Sequence, residues 1–159
     1  MAAALLTLTA LSIFGLTGSL GLAFAARTSA DVARHVQIAV FSTLLNLFAH
    51  SLMMFYLLGK GRAVREAVTE NNLGGDYVAR IARLRAPVFS RATLAMVLTM
   101  ATAIIGASVD VRVIPSWPHA SLAFGAVAGN LVALFREIVA LRGSARIVDE
   151  VNSLIPGGQ

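Results

Sequence analysis

The chain has 159 residues, 57% of them hydrophobic and 13% charged, where a soluble domain is about a quarter charged. It contains no cysteine, which excludes disulfides, thiolate catalysis and cysteine-ligated metals or clusters. Its net charge of +5 lies between and after the apolar runs, a pattern that suits a membrane surface, so no nucleic-acid partner is expected.

A helix needs about 20 mostly apolar residues to cross about 30 Å of hydrocarbon. Four stretches qualify, and they are continuously apolar rather than alternating, which argues against a closed β-barrel. The expected fold is all-α: a polytopic four-helix transmembrane bundle with helical cytoplasmic extensions, in a single domain over 1–159. The spans are expected at about 3–26, 36–59, 91–110 and 118–136.

The first run, Met1 to Ala26, carries no charge. Ala23-Phe24-Ala25 resembles a signal-peptidase site, but no positive n-region precedes it, so the run reads as a retained span. Gly15, Gly18, Ser19 and Gly21 give it a small-residue surface suited to close helix packing.

The second run, Val36 to Gly59, is also uncharged but holds a polar stripe. Ser42, Asn46, His50 and Met53 fall on one helical face, and such a stripe turns away from lipid. His50 lies nine residues before Gly59, about 13 Å from the cytoplasmic end of its span. One reading is a hydrogen-bonded cluster of His50, Asn46, Asn130 and Thr99 between helices. The other is a cofactor site: the imidazole Nε2 would bind haem iron or the magnesium of a chlorophyll. Ala49 and Ser51 are small enough to admit a flat macrocycle, and Met100 or Met96 could supply a sulfur ligand. A quinone pocket beside the same residues is the third possibility. A bis-histidine haem at His50 lacks its second histidine, because His35 and His119 both map to the outer interface.

The segment from Lys60 to Arg91 has seven basic residues, Lys60, Arg62, Arg65, Arg80, Arg83, Arg85 and Arg91, against Glu66, Glu70 and Asp76. The tail adds Arg136, Arg142 and Arg146, and the opposite loops hold fewer basic residues. By the positive-inside rule both termini face the cytoplasm, as in a multi-pass protein of a bacterial inner membrane. Asn71-Asn72-Leu73-Gly74-Gly75 signals a turn, and Asp76 is placed to cap a following helix. Tyr77, Ile81, Leu84 and Val88 share one face of that helix, and Ile138, Leu141, Ala145, Val148 and Val151 form a matching stripe near the C-terminus. A cytoplasmic helical stub over 60–90 and 137–155 follows.

In the third run, Ala92 to Val109, Ala95, Thr99, Ala103 and Ala107 repeat every four residues. The fourth, Val113 to Phe135, has a usable helix from about Pro118, since proline suits a first turn, and contains the pair Gly125 and Gly129. Trp117 suits the outer interface. His35 and His119, near Asp31 and Asp110, are candidate ligands of a divalent metal.

Charged residues occur only at the ends of the spans, so ion or proton transport is not expected. No HExxH, GxSxG or phosphate-binding loop occurs, and catalysis is not expected either. The function that fits is a non-catalytic accessory or structural membrane subunit, bound to partner membrane proteins or a second copy. The alternative is a haem- or quinone-binding electron-transfer anchor using His50.

Overall fold

The computed structural model describes residues 1–155, which form four helices: α1 (Ala2–Ala25), α2 (Ser29–Glu70), α3 (Tyr77–Asp110) and α4 (Ser116–Ser153). All four are long and apolar enough to cross a membrane. The connections are short, so consecutive helices run antiparallel. Two hairpins result, α1 with α2 and α3 with α4, and they pack against each other as a bundle.

Local chemistry sets the helix ends. The Thr28 hydroxyl accepts from the Asp31 N–H, and Asp31 accepts in turn from the Thr28 N–H, a complete capping box. α2 therefore starts at Ser29, seven residues before its apolar run. The backbone N–H of Arg27, with the hydroxyl and N–H of Thr28, holds the Asp31 carboxyl below the usual carboxylate range. α2 ends at Glu70 with Asn71 as its C-cap, and the turn beyond uses positive φ at Asn72 and Gly75. Asp76 precedes α3 but makes no side-chain cap; its carboxylate accepts from Arg83 at 2.6 Å instead.

Pro87 lies inside α3 and is exposed. It removes one helical N–H at a helix surface, where solvent or headgroups can reach the freed carbonyl. α4 begins at Ser116, so Pro118 falls in its first turn, where an N–H has no helical partner to lose.

Within each hairpin the helices meet through small residues. A Cβ on Gly15 would collide with Ser42, and one on Gly129 would lie 3.3 Å from Leu98 and 3.8 Å from Ala95. Ala49, Ala92, Ala95, Ala133 and Ala140 are buried. The outward faces carry large apolar side chains, among them Phe14, Phe41, Phe48, Phe55 and Phe135. A bundle that is apolar on its outside suits lipid contact.

α1 is shorter than its three neighbours. Its first turns, at Ala2, Leu5 and Leu6, pack on a cluster of Met53, Leu57, Val88, Ala140 and Leu141. Beyond that level α2, α3 and α4 continue alone around Val64, Ile81, Ile147 and Val151. A two-pronged Arg80–Glu150 pair, at 2.6 and 3.0 Å, ties α3 to α4 there.

Candidate functional site

Two features carry chemistry. One is a buried polar layer across all four helices, and the other is a cavity at the end of the bundle that holds the two short loops.

The layer centres on His50 and Asn130, both fully buried. His50 Nδ1 lies 2.6 Å from Glu137 Oε1, and Nε2 lies 2.8 Å from Asn130 Oδ1. Asn130 Oδ1 also accepts from Asn46 Nδ2 at 2.7 Å, and Asn46 Nδ2 reaches Ser12 Oγ at 3.1 Å. Asn130 Nδ2 donates to Thr99 Oγ1 at 3.0 Å and to the carbonyl of Ala126 at 2.8 Å. Thus α1 supplies Ser12, α2 Asn46 and His50, α3 Thr99, and α4 Asn130 and Glu137.

The protons in this layer follow from its acceptors. The Ala126 carbonyl can only accept, so the Asn130 amide nitrogen must face it and Oδ1 must face His50. His50 Nε2 therefore carries a hydrogen and donates it. One further proton lies between Nδ1 and Glu137 Oε1, making either an imidazolium–carboxylate pair or a neutral imidazole with a carboxylic acid. Both forms have zero net charge, which suits full burial. Among the described residues Glu137 Oε2, Asn46 Oδ1 and Ser144 Oγ are buried without a partner.

Of the residues expected at a cofactor, His50, Asn46 and Asn130 come together with Thr99. Met100 does not join them: it is 46% exposed and points outward. The Met96 sulfur lies 3.9 Å from Ser51 Oγ. Both nitrogens of His50 are engaged with oxygens, so neither has a lone pair for iron or magnesium. Glu137 is the member that the sequence reading missed. It follows Arg136, which is exposed, and the pair looks like the charged border of a span. One residue along a helix turns the side chain by about 100°, enough to take Glu137 from the lipid face to the centre.

The cavity has a volume of about 430 Å³ and draws its walls from all four helices. Leu16, Phe24, Val36, Ala103, Ala123 and Val127 make it mostly apolar; Thr99 and Ala126 lie on its lining, so it borders the polar layer. Its distinctive polar groups are His35 and His119, whose ring centroids lie 6.3 Å apart with planes at 78°. His35 Nδ1 is 2.8 Å from the carbonyl of Ser19, and Ser19 Oγ donates to the carbonyl of His35. His119 Nδ1 is 3.0 Å from the carbonyl of Thr102. A carbonyl cannot donate, so each Nδ1 carries a hydrogen, and the neutral form of each ring has its lone pair on Nε2. Neither Nε2 has a protein hydrogen bond among the described residues. A Cβ on Gly106 would lie 2.8 Å from His119 Cε1, so the ring needs glycine beside it.

The structure therefore brings His35 and His119 together. Asp31 is engaged in the α2 cap, and Asp110 lies at the cavity wall. No group of three or more His, Cys, Asp or Glu residues that could hold a metal ion exists among the described residues. The chain matches no protein-family model, no curated protein and no solved structure.

Proposed function

We propose that this protein binds haem in the cavity, with His35 and His119 as the two axial ligands, and passes single electrons within a membrane. The observation that carries this is the pair of imidazoles, one from each hairpin, each fixed by a backbone carbonyl so that Nε2 is its ligating atom. Such a carbonyl partner behind a ligating imidazole sets its tautomer and raises its basicity.

The spacing supports one metal between the rings. A metal–imidazole bond is about 2.0 Å, and the ring centre lies about 1 Å behind the nitrogen, so two opposed ligands place their centroids about 6 Å apart. The observed separation is 6.3 Å. A bare zinc ion needs about four protein or water ligands, and among the described residues no third His, Cys, Asp or Glu joins the pair as a metal-binding group. A porphyrin supplies four in-plane nitrogens itself and asks the protein only for axial ones. Two opposed ligands suit six-coordinate haem iron, which carries one electron at a potential that the axial ligands and the surrounding dielectric set. Ala39, Ala103, Ala120 and Gly106 keep the walls low enough for a flat ring. Arg27, Arg34 and Arg112 stand at the same end of the bundle, suited to propionates.

The Lys/Arg bias supports both termini in the cytoplasm of a bacterial inner membrane, which places the cavity toward the outer leaflet. An electron carrier needs a donor and an acceptor. The protein is thus an accessory subunit that docks on redox partners in the membrane, and the open helix surfaces at Gly18, Gly21 and Gly125 suit close approach of a partner helix or a second copy.

Purification in mild detergent tests this. We expect a Soret band from the wild type that is lost in His35→Ala and equally in His119→Ala, and kept in His50→Ala. A preparation that stays colourless after haem is added, or a spectrum that survives both cavity substitutions, overturns the reading.

A further inference from the structure

We infer that Glu137 Oε2 is a reversible proton-binding site, and that it takes up a proton from the cytoplasm when an electron enters the cavity. The inference rests on the haem reading for its electron, and on the geometry of the polar layer for its proton.

The His50–Glu137 pair shares one proton between Nδ1 and Oε1. Its second carboxyl oxygen, Oε2, is buried and has no partner among the described residues. A second proton therefore has one place to go. It forms an O–H bond at Oε2, the proton between Nδ1 and Oε1 stays on the imidazole, and the pair gains one positive charge. With haem held by His35 and His119, that charge would offset one electron delivered to the cavity by a reductant such as a membrane quinol. The bond broken is an O–H bond of water or hydronium on the cytoplasmic side. A buried charge in a low-dielectric interior is felt over long distances, so each event favours the other.

Two further observations support the site. The layer touches the cavity: His50 donates to Asn130, Asn130 donates to Thr99, and Thr99 lies on the cavity lining. On the other side, Ser144 is fully buried with an unpaired hydroxyl. It lies seven residues after Glu137 on the same face of α4, about 10 Å nearer the cytoplasmic end. Its Oγ is the next buried, unpaired polar atom on α4 toward that end.

Competing charges are remote or turned away. α1 carries no charged side chain, and its terminal amine, at Met1, is exposed. On α2 the first titratable side chains toward the basic end are Tyr56 and Lys60. On α3 the nearest is Arg91, which is exposed, and then Arg85, whose guanidinium lies over Gly61. On α4 Arg136 is exposed.

The test uses the purified protein in lipid nanodiscs and the variant Glu137→Gln. Glutamine can donate an amide N–H to the Nδ1 lone pair while Nε2–H stays on Asn130, so the bundle is retained, as circular dichroism checks. We expect the haem potential of the wild type to fall as pH rises, and a protonated-carboxyl infrared band to appear on reduction. The variant should lose both the pH dependence and the band. A wild-type potential that is flat with pH, or a band that persists in Glu137→Gln, overturns the inference while leaving the haem reading intact. A colourless preparation removes the haem reading instead. The proton site is then judged by infrared titration with pH alone: a carboxyl band that titrates and is missing from Glu137→Gln supports it, and no such band overturns it.

Discussion

At the scale of single residues, His50 and Glu137 depend on each other. His50→Ala leaves a fully buried carboxyl without its imidazole, and breaking such a buried pair costs about 3–5 kcal/mol. We expect a large fall in the thermal midpoint of the detergent-solubilised protein, with the geometry of His35 and His119 unaffected. Asn130→Leu strips partners from His50 Nε2, Asn46 and Thr99 at once, and each stranded polar group costs about 1–3 kcal/mol. The polar stripe on α2 was legible in the sequence, because Ser42, Asn46 and His50 recur at helical spacing in an uncharged run. Asn130 and Thr99 follow from depth alone. Glu137 does not, since depth gives no rotation about the helix axis and its neighbour Arg136 occupies the lipid face. His35 and His119 were legible as groups at a matching depth, but their approach to 6.3 Å depends on how the two hairpins dock, and no local pattern encodes that.

At the scale of elements, helix starts and close contacts are the sensitive points. Thr28→Ala removes the α2 cap and should cost about 1 kcal/mol, read as faster amide exchange over 29–32. The same fraying should appear in the wild type in acid. The Asp31 carboxyl is held below its unfolded value, so its contribution is full above the usual aspartate range and is lost as pH falls through the lowered value. Gly15→Val would drive a side chain into Ser42 and separate α1 from α2, at about 1–3 kcal/mol by overpacking; thermal unfolding measures it. Four apolar runs gave away the four helices, but not their full lengths. The Thr28 and Asp31 box lies outside the apolar run of α2, and a hydropathy reading passes over it. The joining of Tyr77–Ser90 to the third run needs a proline to be tolerated inside a helix, which Pro87 achieves only because it lies on the exposed face.

At the scale of the whole molecule, the two ends differ in chemistry. Seven basic residues between 60 and 91 stand at one end, and short loops and the cavity at the other. Orientation is open to direct measurement because the chain has no cysteine to interfere. A membrane-impermeant maleimide added to whole cells should label Ser29→Cys and leave Arg62→Cys unlabelled until the membrane is opened. The reverse pattern would invert the proposed topology.

The division into hairpins has a bearing on biogenesis. Each hairpin holds one imidazole against a carbonyl of its own partner helix, Ser19 for the first and Thr102 for the second. Each half is thus finished before the halves meet, yet neither alone can grip a planar group from both sides. On the haem reading proposed above, capture would wait until synthesis has delivered the second pair of helices, and a group held by both imidazoles would rivet the first half to the second.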